Sequence, residues 1–281
     1  MKRLSLIFTL FVAFMLSASA QQLMSAADLA KNLKNSDYIV VSAELEPNYS
    51  KVHITNAVNV PYKAFFKEGD IEGILVVDDE IKKIFGDNGV SESKTIVVYD
   101  EGSMKYGSRV AWILKYMGAP NVYVLDGGMN AWKAGRKPVT KNPTMVKKTT
   151  FNGTPNKAMI AGMDDVKAAL ADAGSVVVDA RETGEYKGLE NKSTGHIKGA
   201  VNVDHNTIQD DKSLMKAAAD LEKLFKAAGV TKDKKVILYC STGVRTAKEY
   251  IALTEILGYP NVKVYDGGFN EWTAKGGAID K

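Results

Sequence analysis

Short apolar runs rich in β-branched residues alternate with amphipathic segments along most of the chain. In the second half, the runs with the composition of buried strands are "SVVVDA" (175–180), "KVILYC" (235–240) and "VKVYDGG" (262–268). The segments with apolar residues at helical spacing are "MDDVKAALADAG" (163–174), "LEKLFKAAG" (221–229) and "RTAKEYIALTEILG" (245–258). Strands that alternate with helices predict a parallel sheet covered by helices on both faces.

This pattern occurs twice in the chain. The stretch "VLDGGMNAW" (124–132) matches "VYDGGFNEW" (264–272) at an offset of 140, and "VHITNAVNV" (52–60) matches "GHIKGAVNV" (195–203) at 143. A repeat this long indicates two whole domains rather than a solenoid. We therefore predict a first domain at 21–136, a linker at 137–157 that is rich in Pro, Lys and Thr, and a second domain at 158–281.

The first 20 residues differ from the rest of the chain. "MKRLSLIFTLFVAFMLSASA" has a basic start, an apolar centre and small residues at its end. This is the pattern of a secretory signal peptide cut after Ala20, and it predicts a protein exported to the periplasm or secreted. A membrane anchor is the weaker alternative, because the uncharged stretch from Leu4 to Ala20 is at the short limit for spanning a bilayer. After cleavage we expect no association with a membrane.

Composition limits the classes of partner. Of 281 residues, 45% are hydrophobic and 25% are charged, which is ordinary for a globular protein. The formal net charge is only +4, and signal cleavage removes the two positive charges of Lys2 and Arg3. So small a charge does not indicate nucleic acid as a partner.

Cys240 is the only cysteine, so an internal disulfide is excluded even though an exported protein would tolerate one. It follows the predicted strand "VILY" and begins the loop "CSTGVR", comprising Cys240, Ser241, Thr242, Gly243, Val244 and Arg245. In open α/β sheets, ligands bind beyond the carboxyl ends of the strands. Gly243 permits a tight curve with inward N–H groups, and these groups, the following helix N-terminus and Arg245 all favour an anion. The same environment lowers the pKa of a thiol and makes it a nucleophile.

In these residues the chain resembles the tandem-domain members of the rhodanese-like sulfurtransferases. The markers are the six-residue loop after "VILY", "DAR" at 179–181, "GHIKGAVN" at 195–202 and "DGGFNEW" at 266–272. The resemblance covers the chain after Ala20, and its motifs are specific when taken together at these spacings. It implies an α/β fold of two tandem domains, each a mainly parallel sheet of about five strands flanked by helices.

The resemblance also implies a reaction. The loop cysteine takes a sulfane sulfur from an anionic donor, becomes a persulfide, and passes the sulfur to cyanide, a small thiol or a protein thiol. Cys240 would be catalytic, residues 241–244 would form the active-site loop, and Arg181 and Arg245 would bind the substrate. An ion pair with Glu182 or Glu185 is the structural alternative for Arg181. No cofactor or metal is implied.

The first repeat lacks the counterparts of the cysteine and of Arg181. Asp100 stands where Cys240 stands and Glu44 where Arg181 stands, so the first domain is expected to be inert and to cover one wall of the cleft. His53 and His196 occupy equivalent positions in both repeats and are expected to orient loops. Trp132 and Trp272 are expected in the cores. His205 has no counterpart and is expected in a surface loop, while Lys248 either adds positive potential or lies on a solvated face.

Two other function classes stay open at this point. A cysteine phosphatase uses a related loop with five residues between Cys and Arg, whereas four separate Cys240 from Arg245, which favours sulfur over phosphoryl chemistry. An exported persulfide carrier or partner-binding protein without small-molecule turnover is the third class. Family members that prefer thiosulfate often have basic residues after the cysteine, and those that prefer 3-mercaptopyruvate often have small ones. Ser241 and Thr242 with Arg245 fit neither pattern fully, and we favour thiosulfate.

Overall fold

The computed structural model describes residues 22–189 and 195–281. The predicted signal peptide, residues 1–20, therefore lies outside the described residues. Within the described ranges, no helix has both the length and the apolar character needed to cross a membrane.

The first half of the chain alternates strands with helices, as the pattern of apolar runs predicts. Its strands are β1 (Leu23–Met24), β2 (Tyr38–Ser42), β3 (His53–Ile54), β4 (Val58–Asn59), β5 (Thr95–Tyr99), β6 (Val122–Leu125) and β7 (Val139–Thr140). Its helices are α1 (Ala26–Asn32), α2 (Glu46–Lys51), α3 (Asp78–Asp87), α4 (Lys105–Tyr116) and α5 (Gly128–Ala134), with a 3₁₀ helix at Tyr62–Phe65.

The second half repeats this order of elements. Its strands are β8 (Ile160–Ala161), β9 (Ser175–Asp179), β10 (His196–Ile197), β11 (Val201–Asn202), β12 (Lys235–Tyr239), β13 (Val262–Tyr265) and β14 (Ile279–Asp280). Its helices are α6 (Met163–Leu170), α7 (Thr183–Tyr186), α8 (Ala218–Ala227), α9 (Thr246–Ile251) and α10 (Gly268–Ala274), with 3₁₀ helices at Lys157–Met159 and His205–Ile208. The helix predicted over 245–258 changes to a π-helical turn at Ala252–Ile256.

Each half builds a five-stranded parallel sheet. The order is β1-β6-β5-β2-β4 in the first sheet and β8-β13-β12-β9-β11 in the second, so the two sheets correspond strand by strand. Helices flank both sheets, and the predicted fold class is confirmed. In the second sheet β12 lies between β9 and β13, with Tyr239 opposite Asp179. Cys240 therefore leaves the sheet from a central strand, where ligands of parallel sheets bind.

The two halves share one apolar cluster. Helices α4 and α9 pack against each other, and the ring of Trp112 from α4 meets the ring of Tyr250 from α9 edge-on at 6.4 Å between centroids. The loop before α9 holds Cys240, and α4 follows the equivalent loop of the first half. Packing of these two helices therefore brings both loops to the interface between the halves.

The segment predicted as a linker packs against the first domain. Val139 and Thr140 form β7, which pairs antiparallel with β3, and the ring of Phe151 is buried 5.1 Å from the ring of Phe85. A two-residue strand is too short to show a period of two in the sequence, which explains why the pattern did not predict it.

Candidate functional site

Cys240 lies at the carboxyl end of β12 and is fully buried. Its carbonyl oxygen accepts a hydrogen bond from the N–H of Phe269 at 2.8 Å, which ties the start of the loop to helix α10. This bond gives the "DGGFNEW" motif a physical role, because the turn before α10 holds the loop that carries the thiol.

The loop after Cys240 leaves a set of N–H groups without acceptors. Gly243 has φ +72°, a left-handed conformation that costs a glycine little and curves the chain back on itself. The N–H groups of residues 241–246 have no hydrogen-bond acceptor anywhere in the described part of the chain. Successive N–H groups of this kind at a helix N-terminus form a binding site for an anion.

In the equivalent loop of the first domain, the corresponding set of N–H groups, which we call the cradle, binds a carboxylate. The buried Asp100 carboxylate accepts four N–H groups, from Gly102 and Met104 at 3.0 Å, from Tyr106 at 2.9 Å and from Gly107 at 3.0 Å. The anchoring bond is also equivalent, since the Asp100 carbonyl accepts the N–H of residue 129 at 2.7 Å. At the offset of 140, the first three donors correspond to residues 242, 244 and 246, whose N–H groups are free of an acceptor among the described residues.

The Asp100 carboxylate is itself an anion at neutral pH. Burial and the charge of Glu101 raise its pKa to about 6, and its hydrogen bonds from Gly107, Gly102 and Met104 oppose that rise. The N–H groups of this loop therefore favour a negative charge, in opposition to burial, at the position that Cys240 occupies in the second domain.

Arg245 lies beside the thiol. Its guanidinium binds both carboxylate oxygens of Glu185 and donates to the Ser241 hydroxyl at 2.9 Å. Burial alone would lower the pKa of Arg245, but the hydrogen bonds to Glu185 and the charge of Cys240 outweigh it and raise that pKa. Arg245 thus keeps its positive charge next to the sulfur, as the predicted substrate-binding role requires.

Arg181 is buried and bonded at the end of β9. Its Nη2 donates to the Asp179 carboxylate at 2.6 Å and to the Gly195 carbonyl at 2.7 Å, and its guanidinium lies 3.9 Å from the centre of the Phe269 ring. The structural alternative for Arg181 was an ion pair with a neighbour such as Glu182 or Glu185, and the structure shows an ion pair with Asp179. Arg181 is not among the described residues that line the cleft, and its predicted contact with the donor stays a prediction.

A cleft of about 240 Å³ opens between the two halves over the loop. From the second half it is lined by Glu182, His205, Thr242, Val244 and Arg245, and from the first half by Tyr62, Lys63, Phe66, Glu72, Lys105 and Tyr106. The rings of Tyr62 and Tyr106 stack at 4.2 Å between centroids. The first half therefore supplies aromatic and basic side chains as well as covering one wall.

The expectation for His205 was wrong, and so was one of the two alternatives for Lys248. His205 is only 3% exposed and lines the cleft, rather than lying in a surface loop. Lys248 is fully buried rather than on a solvated face, and its ammonium donates to the Ser103 carbonyl at 3.2 Å and to the Gln209 amide oxygen at 2.7 Å. Burial lowers the pKa of Lys248 to about 8. Both residues lie in polar stretches of sequence, and only the packing of the two halves covers them.

Lys248 and Gln209 also close the first-domain loop. Gln209 donates to the Gly102 carbonyl at 3.1 Å while Lys248 binds the next carbonyl, Ser103. The Asp100 carboxylate thus binds the N–H groups of this loop, while Gln209 and Lys248 of the second domain bind two of its carbonyl groups. This arrangement agrees with the expectation that the first-domain loop is inert.

Arg109 is a residue that the sequence pattern did not single out. It is fully buried on α4, and its guanidinium donates to the Asp266 carboxylate at 2.5 Å and to the Gly243 carbonyl at 3.3 Å. A basic residue within the apolar stretch "RVAWIL" was the available signal, since a buried Arg needs a partner. It connects the first half directly to the loop of Cys240.

The remaining histidines and tryptophans are where the repeat predicted them. His53 binds the carbonyls of Tyr49 and Asn142, and His196 binds the carbonyl of Tyr186. Each of the two imidazoles stacks on the tyrosine that it binds. The tryptophans of the repeat, Trp132 and Trp272, are buried and donate to backbone carbonyls.

Comparisons with known proteins identify the family of the chain. The family model described as Rhodanese-like domain matches residues 25–135 and 162–275. A Synechococcus elongatus protein named "Putative thiosulfate sulfurtransferase" is 30% identical over 272 residues, covering 92% of this chain and 84% of its own. The thiosulfate sulfurtransferase of Pseudomonas aeruginosa is 28% identical over 249 residues, covering 88% of this chain and 92% of its own. Among solved structures, the Escherichia coli 3-mercaptopyruvate sulfotransferase SseA superposes with a TM-score of 0.82 at 25% identity, over 89% of this chain and 99% of its own.

Proposed function

The chain belongs to the rhodanese-like family and is an enzyme of the sulfurtransferase class, and on that premise we propose that Cys240 carries sulfur from thiosulfate to cyanide or a thiol. The observation that supports this most directly is that the N–H groups of residues 242, 244 and 246 have no acceptor among the described residues, while their counterparts in the first domain bind the Asp100 carboxylate. A loop whose N–H groups bind a carboxylate in one domain has the geometry to bind a thiolate or a persulfide in the other.

The proposed reaction has two displacement steps. The Cys240 thiolate attacks the outer sulfur of thiosulfate, a new S–S bond forms, and sulfite leaves with the electron pair of the bond that breaks. Cyanide or a thiolate then attacks the outer sulfur of the persulfide, and thiocyanate or a new persulfide leaves while the Cys240 thiolate is restored. The enzyme's sulfur is an anion before and after each step, so the same N–H groups serve throughout.

The charges around the cleft support an anionic donor. Lys63, Lys105 and Arg245 line it, and Arg245 has a raised pKa that keeps it cationic at any working pH. Glu72 and Glu182 also line the cleft and limit the net positive potential. We favour thiosulfate over 3-mercaptopyruvate because the cleft is small and polar, and because Arg245 places a positive charge beside the reacting sulfur.

We also infer that the protein works after export to the periplasm or secretion, on the basis of the signal-peptide pattern of residues 1–20. Cell fractionation with a mass measurement of the isolated chain tests this inference, and a chain in the cytoplasm that retains these residues contradicts it. Thiols of the same compartment, small or on proteins, are then the acceptors.

The test of the proposed function is a donor comparison with a persulfide measurement. Mature protein incubated with thiosulfate, and separately with 3-mercaptopyruvate, should gain about 32 Da at Cys240, the mass of one sulfur atom. Cys240→Ser should gain nothing and should lose turnover with every donor, because a hydroxyl is a far weaker nucleophile for sulfur.

The outcomes separate the candidates. Full turnover by Cys240→Ser would exclude the mechanism. A persulfide that forms but is not transferred to cyanide or small thiols would favour the carrier function, and a faster gain of mass from 3-mercaptopyruvate would reverse the donor preference.

A further inference from the structure

His205 is a buried histidine without a structural partner. It begins the 3₁₀ helix His205–Ile208, lines the cleft beside Thr242 and Val244, and is 3% exposed. Neither ring nitrogen has a hydrogen-bond partner among residues 22–189 and 195–281. Buried polar groups are nearly always paired, and leaving one unpaired destabilises the fold.

The other two histidines differ on this point. His53 binds two backbone carbonyls and His196 binds one. Their hydrogen bonds explain why those imidazoles are buried, but no such bond explains the burial of His205.

The surroundings of His205 are basic. Burial, together with the positive charges of Lys248, Arg245 and Lys105, lowers the pKa of His205 to about 3, so the ring is neutral at any physiological pH. A neutral imidazole has one N–H donor and one acceptor nitrogen. The neighbouring cations cannot accept its N–H, but an anion attracted by them can.

We propose that His205 binds the sulfur donor, its imidazole N–H donating a hydrogen bond to an anionic oxygen of the donor in the cleft. This inference rests on the proposed sulfurtransferase function and assigns a residue to donor recognition. The cations draw the donor into the cleft, and the directional bond from His205 holds its oxygen end there. It is a binding contact, and it leaves the two displacement steps unchanged.

Kinetics with size-matched substitutions test the proposal. His205→Phe keeps the ring volume and removes the N–H, so KM for thiosulfate should rise about 10- to 100-fold, the loss typical of a hydrogen bond to a charged acceptor. The kcat and the KM for cyanide should stay within about threefold. His205→Gln retains a neutral N–H donor and should recover most of the loss, which a purely structural role would not predict.

His53→Phe is the matched control. This imidazole is equally buried but bonded to the backbone, so its loss should lower the melting temperature and leave KM for thiosulfate unchanged. A rise in KM equal to that of His205→Phe would show that loss of any buried imidazole has this effect, and it would overturn the proposal.

Sulfite binding to Cys240→Ser gives a test that needs no turnover and no variant at position 205. The chain has three histidines, so their ring ¹⁵N resonances can be followed separately while sulfite is added. The nitrogens of His205 should shift and those of His53 and His196 should not. Unchanged His205 resonances at saturating sulfite, or no detectable sulfite binding, overturn the proposal.

The two proposals fail in different ways. If wild-type protein forms a persulfide but His205→Phe retains the wild-type KM for thiosulfate, the role of His205 is wrong and the sulfurtransferase function stands. If no donor loads Cys240 but sulfite still shifts the His205 resonances, the cleft binds anions and the transfer function is wrong.

Discussion

At the residue scale, the two domains differ most at one position of a shared loop. The Asp100 carboxylate accepts N–H groups of its own loop, whereas the corresponding N–H groups after Cys240 have no acceptor among the described residues. A carboxylate cannot accept a sulfane sulfur, so under the proposed function only the loop of the second domain would support sulfur transfer.

His205 gives a residue-scale prediction about acid stability. Its pKa is lowered to about 3 in the folded protein, from an ordinary value near 6.5 in the unfolded chain. Below that ordinary value the unfolded state binds a proton that the folded state does not. The stability associated with neutral His205 is therefore fully present above pH 6.5 and lost as the pH falls towards 3.

Urea unfolding of wild type and His205→Phe at several pH values measures this effect. Relative to the variant, wild type should lose stability below pH 6.5 by at most about 1.4 kcal/mol per pH unit. A difference in unfolding free energy that stays constant from pH 7 to pH 4.5 would show that His205 titrates normally in the fold.

At the element scale, a segment of the first domain lies directly on the loop of Cys240. Around Gly73, the chain is held by the bond from the Leu75 N–H to the Asp266 carboxylate at 2.8 Å. Gly73 has φ +104°, and a Cβ at this position would lie 2.5 Å from the Cβ of Thr242. The absence of a side chain at residue 73 is what allows the two loops to touch.

Gly73→Ala should therefore lower activity through the loop of Cys240. The added methyl group must displace Thr242, whose N–H belongs to the proposed cradle, and we expect kcat/KM for thiosulfate to fall at least about tenfold, since misplacement by about 1 Å can cost more than that. Steady-state kinetics and the rate of persulfide formation measure the loss.

Gly69→Ala is the control for this prediction. Gly69 also has a positive φ, +152°, but no heavy atom lies within 4 Å of a Cβ built there. Gly69→Ala therefore tests the effect of backbone strain without a steric clash such as the one between residue 73 and Thr242. Equal losses of activity in both variants would attribute the effect to strain rather than to Thr242.

At the scale of the whole molecule, Arg109 connects the two domains at the catalytic loop. Its guanidinium is fully buried and binds both the Asp266 carboxylate and the Gly243 carbonyl. Breaking a buried ion pair by removing one partner usually costs about 3–5 kcal/mol, because the other charge is left unpaired. Through Arg109 the first domain thus contacts the loop of Cys240 directly.

Arg109→Met should lower both stability and activity. We expect a loss of about 3 kcal/mol or more in unfolding free energy. Persulfide formation should also be slower, since the Gly243 carbonyl loses one of its two donors and keeps only the Thr246 hydroxyl. Urea unfolding and rapid-quench mass measurements test the two effects.

Lys115→Met is the matched control at this interface. Lys115 on α4 pairs with Glu255 across the same interface but does not contact the loop. Its substitution should lower stability without changing persulfide formation. If Arg109→Met transfers sulfur at the wild-type rate, the connection to Gly243 has no part in catalysis.

The sequence by itself determined the fold class and the position of the cysteine loop within it. Alternating strand and helix periods and the repeat at 140 residues predict two parallel α/β domains, because buried strands and amphipathic helices leave local patterns. The place of Cys240 between a strand and a helix predicts an anion-binding loop, because that geometry follows from chain order alone.

Only the tertiary structure decided which side chains meet at the loop. Arg181 forms an ion pair with Asp179, two residues earlier, while Arg245 forms one with Glu185. Which carboxylate each arginine binds depends on the directions of the side chains, and the spacing of residues along the sequence does not give those directions. Arg109 contacts Gly243 across 134 positions, His205 and Lys248 are buried, and Lys248 donates to the Ser103 carbonyl of the other half. Such contacts result from the packing of α4 on α9. The periodicity of a helix indicates which face is buried, but it does not indicate which distant element packs on that face.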